Sequence, residues 1–79
     1  GWVYWLKLLR ESGMSIQMMK RYVKITLAGD HTIDERCVIL EEHRNRLHEH
    51  IKKLQGFLGK LEQKVEFYQG YKTRSKEKR

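Results

Sequence analysis

Apolar residues recur with a helical period along nearly the whole chain. Trp2, Trp5, Leu6 and Leu9 fall at i, i+3, i+4 and i+7, which predicts one helical face. Val3, Tyr4 and Leu8 widen that face until the segment is apolar nearly all round. Such a helix is covered on several sides or presents a surface to a missing partner. Gly13 predicts a left-handed C-terminal cap for it. Ser15 is then placed to N-cap a second helix, whose inner stripe reads Ile16, Met19, Val23 and Leu27. Gly29 predicts a stop of the same kind as Gly13. Thr32-Ile33-Asp34-Glu35 fits a capping box, with the Thr32 oxygen taking one free amide and Glu35 reaching back to another. Asp34 and Glu35 also suit the positive end of the helix dipole.

From that start a heptad keeps its phase without interruption. The d positions are Ile33, Leu40, Leu47, Leu54, Leu61 and Tyr68; the a positions are Cys37, Arg44, Ile51, Leu58 and Val65. Only Arg44 among them is charged, and this 4-3 spacing is the signature of a coiled coil. Gly56 and Gly59 each cost about 1 kcal/mol relative to Ala in a helix. They lie off the seam, and the heptad holds its phase across both, so one continuous helix is expected rather than a break that turns the end back. A helix over residues 32–69 would be roughly 57 Å long at ~1.5 Å per residue. Two short helices cannot cover that length, so residues 51–68 must find a second chain or leave their stripe in water. The fold class is therefore all-α: two short helices followed by one long helix that forms a dimeric coiled coil. The flanking e positions include Asp34, Glu41 and Glu62, and the g positions include Arg36, His43, His50 and Lys64. This distribution leans weakly toward parallel pairing, through contacts worth only ~0–1 kcal/mol each.

Composition narrows the function. The chain has 79 residues, no proline and a single cysteine, which excludes an internal disulfide framework. No stretch approaches the ~18 apolar residues of a transmembrane helix. The apolar start is broken by Lys7 and followed by no small-residue cleavage site, so no signal peptide is visible and a cytoplasmic location is expected. So short a chain is marginal alone, and oligomerisation is the expected remedy. The net charge of +7 is uneven. Residues 1–31 carry an excess of three positive charges, residues 32–70 are balanced, and residues 71–79 carry an excess of four. That last segment has one aromatic and no aliphatic residue, which predicts a disordered basic tail. Such a tail reads first as a solvated terminus and second as a non-specific contact to nucleic acid.

Candidate chemistry is sparse. Cys37 lies on the apolar seam and reads first as core packing. With Arg36 beside it and Arg44 two turns on, it is the one candidate sensor thiol. His31, His43, His48 and His50 contain no i, i+4 pair, and a second cysteine is absent, so no metal site and no cofactor are expected within the chain. The carboxylates alternate with Lys and Arg along one helix and read as a solvated face, so an enzyme is not expected.

The segment Leu8-Leu9-Arg10-Glu11-Ser12-Gly13-Met14-Ser15-Ile16 resembles the corresponding stretch of MerR-type bacterial transcription regulators. Tyr22-Val23 follows at a similar interval. Gly29-Asp30-His31-Thr32-Ile33-Asp34-Glu35-Arg36 resembles the loop and start of that family's dimerisation helix. Ile39-Leu40-Glu41-Glu42-His43-Arg44, with Leu47, Ile51, Leu54, Leu61, Lys64 and Tyr68, resembles its body. The likeness covers about residues 2–69. It implies that residues 1–31 are a two-helix connector left from the DNA-binding domain, and that residues 32–70 are a dimerisation helix pairing antiparallel with its copy. It also implies an expectation that the winged helix-turn-helix lies upstream of Trp2, outside this chain. The intact regulator would bind a palindromic promoter as a homodimer and act on RNA polymerase by distorting the DNA between them. Lys7, Arg10, Lys20, Arg21 and Lys24 form the basic part of the connector and are candidate contacts to DNA phosphates. The resemblance does not extend to a metal site or a thiol switch. Thr32 stands where metal-sensing members carry cysteine, no cysteine follows Tyr68, and Leu8 and Leu9 stand where a reactive cysteine would be expected.

Two other readings compete. One is a stand-alone coiled-coil adaptor that binds nucleic acid through its basic tail. The other is a membrane-surface helix anchored by Trp2, Trp5 and Lys7, which leaves the long heptad without a role.

Overall fold

The computed structural model describes residues 1–77. Its elements are α1 (Trp2–Glu11), α2 (Ile16–Ala28), a 3-10 turn (Asp30–Thr32) and α3 (Ile33–Glu77), and the described residues form no strand. The chain divides into two units, Gly1–His48 and a second that begins at Glu49.

In the first unit, α1 ends in a Schellman motif. The Met14 amide donates to the Leu9 carbonyl at 3.0 Å and the Gly13 amide to the Arg10 carbonyl at 3.1 Å. Gly13 supplies the positive φ of 101° that this turn requires. The motif brings Leu9 and Met14 together, and these are the two most deeply buried side chains, at 2% and 1% exposure. Ser15 then caps α2 as expected, its Oγ accepting from the Met18 amide at 3.1 Å.

The core consists of Leu9, Met14, Tyr22 and Ile39, with Trp5, Met18, Met19, Ile25 and Leu40 packed around it. Burying such side chains contributes about 1.5–3 kcal/mol each, which leaves a small total against the ordering entropy of the unit. The face that α2 turns inward differs from the predicted one. Met19 and Val23 of the predicted stripe are half-buried, Ile16 and Leu27 are exposed, and Met18, Tyr22 and Ile25 are turned inward as well. Apolar residues cover a wide arc of α2, so the helical period alone did not fix which part of the arc packs. The prediction for α1 holds at Leu9, which is buried, and at Trp5 and Leu6, which are half-buried, whereas Trp2, Val3 and Tyr4 are exposed.

The junction into α3 is built differently from a capping box. The Thr32 hydroxyl lies 2.7 Å from both the Ile25 and the Gly29 carbonyls. It accepts from Arg36 Nε at 2.9 Å. Arg36 also donates to the Gly29 carbonyl at 2.7 Å. Its guanidinium thus sits over the carbonyls that α2 leaves unpaired, where the negative end of the helix dipole favours a cation. Glu35, expected to reach back to Thr32, pairs instead with Arg21 at 2.8 Å. Gly29 has φ 122° and ψ 177°, an extended positive-φ conformation essentially reserved for glycine.

The second unit is helical from Glu49 to Glu77, through Gly56 and Gly59 as the unbroken heptad predicted. Every apolar side chain that heads its seam is exposed, including Ile51, Leu54, Leu58, Leu61, Val65 and Tyr68. Lys64 Nζ lies 5.6 Å from the Phe67 ring and 5.7 Å from the Tyr68 ring. The tail corrects the sequence reading: residues 71–77, expected to be disordered, continue α3. Extension of an existing helix adds a hydrogen bond per residue fixed, without a new nucleus. Thr73 adds a bond from its hydroxyl to the Gln69 carbonyl at 3.1 Å. Lys78 and Arg79, the end of the predicted tail, lie outside the described residues.

Candidate functional site

The heptad positions meet two fates. In the first unit, Leu40 and Leu47 are half-buried, while Ile33, Cys37 and Arg44 are exposed. In the second unit, Ile51, Leu54, Leu58, Leu61, Val65 and Tyr68 are all exposed. Leu58, Leu61 and Val65, with Glu62 and Glu66, line a shallow depression of about 390 Å³. A row of large apolar side chains at 4-3 spacing in water is the arrangement a second helix covers.

In the first unit α3 uses a different stripe. Arg36, Ile39, Leu40, His43 and Leu47 are buried or half-buried there, so the g, c and d side of α3 is turned away from solvent. His43 was not predicted to be buried. It is 8% exposed, and its Nε2 lies 2.8 Å from the Ser12 hydroxyl. The same hydroxyl lies 3.1 Å from the Leu9 carbonyl. The bond therefore ties the C-terminal cap of α1 to α3. The signal was present in the sequence: Arg36, Ile39 and His43 repeat at i, i+3 and i+7 beside the seam. The polar character of Arg36 and His43 hid it.

Next to that tie, Tyr4, Lys7, Leu8, Glu11 and Ser12 line an open groove of about 470 Å³ on α1. Val3 and Tyr4 add exposed apolar surface to the same helix.

The five candidate phosphate contacts are all exposed. Three are engaged within the chain. Lys7 lies 3.9 Å from Glu11, Arg10 donates to the Met14 carbonyl at 3.3 Å, and Arg21 pairs with Glu35. Lys20 and Lys24 stand one turn apart on α2 and share a face. Cys37 is a free, exposed thiol, and the Arg36 guanidinium predicted to flank it is committed to Thr32 and Gly29. Among the described residues, no group of three or more His, Cys, Asp or Glu side chains is placed to hold a metal ion. No helix among them is apolar enough over a sufficient length to cross a membrane.

The chain is similar to an uncharacterized HTH-type transcriptional regulator from Haemophilus influenzae, at 36% identity over 72 residues. The match takes in 91% of this chain and 53% of the relative, so the chain spans about half the length of the curated relative it matches. No protein-family model matches the sequence, and no solved structure matches it.

Proposed function

We propose that this chain is the dimerisation region of a MerR-like, DNA-binding transcription regulator. One observation carries the reading: the heptad seam of α3 is exposed along its whole second half, at Ile51, Leu54, Leu58, Leu61, Val65 and Tyr68. The seam residues Ile33, Cys37, Leu40, Arg44, Leu47, Ile51, Leu54, Leu58, Leu61, Val65 and Tyr68 face a second copy of α3, with residues 1–31 serving as the connector to a DNA-reading domain. The similarity to an HTH-type regulator supports the DNA partner. The intact regulator works in the cytoplasm, binds a palindromic promoter as a homodimer and modulates transcription by RNA polymerase. Lys20 and Lys24, aided by Lys7, Arg10 and Arg21, touch phosphates flanking the operator.

The test uses the intact gene product on DNA from its own promoter. Lys20→Glu with Lys24→Glu should weaken operator binding and lower the slope of log affinity against log salt by about 2. Unchanged affinity and slope would remove the connector from the DNA interface. Failure of the unsubstituted protein to bind promoter DNA above its affinity for random sequence would overturn the regulator reading.

A further inference from the structure

We propose that the hydrogen bond between Ser12 and His43 is an angular brace. It aims α1, and with it the DNA-reading domain, relative to α3, and so sets the half-site spacing that the dimer accepts. The brace rests on the dimeric regulator reading above and gives a positioning role to two residues that reading leaves unused.

Within the first unit α3 is fastened at two places. The near one is its first turn, where Arg36 donates to the Thr32 hydroxyl at 2.9 Å and the Gly29 carbonyl at 2.7 Å, and Glu35 meets Arg21 at 2.8 Å. Those bonds join α3 to α2 and to the turn that follows it. The far one joins α3 to the end of α1, with His43 Nε2 and Ser12 Oγ 2.8 Å apart. His43 stands two turns beyond Arg36, roughly 10 Å along the helix at ~1.5 Å per residue. A rod held at one point can pivot, and a second fastening set apart along its axis fixes its direction.

The apolar contact beside the brace cannot do the same. Leu9 and Ile39 share the core there, at 2% and 4% exposure. Such burial is non-directional and tolerates rotation and sliding, whereas a hydrogen bond weakens steeply as its angle is lost. Both ends of the brace are themselves held. Ser12 is the C-cap residue of α1, and its amide donates to the Leu8 carbonyl at 3.0 Å. Its hydroxyl donates to the Leu9 carbonyl at 3.1 Å, which leaves the oxygen to accept from Nε2–H of His43. His43 is only 8% exposed. Packing alone would be served by an apolar side chain at that position; the imidazole adds a direction, as satisfied buried polar pairs do.

The test compares binding of the intact gene product to its own promoter and to the same DNA with one base pair inserted between the half-sites. The insertion moves the half-sites apart by ~3.4 Å, and the unsubstituted protein should prefer the native spacing. His43→Phe keeps a ring in the core and leaves the Ser12 hydroxyl its Leu9 partner. Ser12→Ala removes the brace from the other end. Each should shrink the preference about tenfold, from one hydrogen bond lost in each copy, with circular dichroism and sedimentation equilibrium showing an intact fold and dimer. His43→Gln, whose amide can donate as Nε2–H does, and Ser12→Thr should retain it. A preference that survives both His43→Phe and Ser12→Ala would overturn the brace, as would an unsubstituted protein that binds its promoter but ignores the insertion. Equal weakening on the two DNAs, or loss of fold in both variants, would make the bond a general support of the core and overturn it too. An unsubstituted protein with no preference for its promoter over random sequence would overturn the regulator reading beneath it.

Discussion

The two units of this chain hold similar kinds of residues and use them in opposite ways. In Gly1–His48 a few apolar side chains are buried deeply and tied down by hydrogen bonds from Ser12, Thr32 and Arg36. From Glu49 onward a longer row of apolar side chains is held in register by one helix and left in water. The first unit closes its core within the chain. The second presents an exposed apolar surface that, on the proposed reading, a second copy covers. A helix can be locally well determined by its backbone bonds and still depend on a partner for stability, because packing of an apolar face supplies most of what holds a helix in water.

Substitutions should separate the two. Leu54→Asp with Leu61→Asp should weaken self-association by about four orders of magnitude or more, since each copy loses two leucines that the proposed dimer would bury, at about 1.5–3 kcal/mol apiece. A monomeric mass with near-unchanged fluorescence from Trp2 and Trp5, both in the first unit, is the expected pattern. Leu9→Ala should act on the other side of the comparison. It removes a fully buried side chain and should cost about 2–5 kcal/mol in chemical denaturation of the first unit. Arg36→Gln should cost less, about 1.5–3 kcal/mol, by stripping charge-assisted bonds from the Thr32 hydroxyl and the Gly29 carbonyl. The smallest effect is a gain. At Gly56 and Gly59 an added Cβ meets nothing within 4 Å. Alanine at each should therefore stabilise α3 by about 1 kcal/mol, seen as a higher melting temperature. Loss of helix in that variant would mean the glycines serve a close approach by a partner backbone.

How far the sequence reached follows the range of the interactions. The Gly13 turn and the Ser15 cap depend on bonds spanning three to five residues, and both were legible. So was the continuity of α3 across Gly56 and Gly59, because the heptad keeps its phase there. Thr32 and Glu35 misled, since their spacing fits a local box while their hydrogen bonds go to partners outside it. Thr32 serves the end of α2 and Glu35 serves Arg21. The inward face of α2 misled for a related reason: Met18, Met19, Tyr22, Val23 and Ile25 offer more than one helical stripe, and α1 selects among them. His43 went unread because a polar residue beside an apolar seam looks solvated until Ser12 is seen opposite it. The helical residues 71–77 show the converse, a segment too polar to fold alone that extends a helix already formed.

The central claim is that the exposed seam of α3 is an interface. Sedimentation equilibrium of the chain over a wide concentration range tests it most directly. The account predicts a tight dimer, with twice the chain mass down to the lowest measurable concentration. A well-folded monomer at every concentration would contradict it, because the seam from Ile33 to Tyr68 would then have no second helix to face.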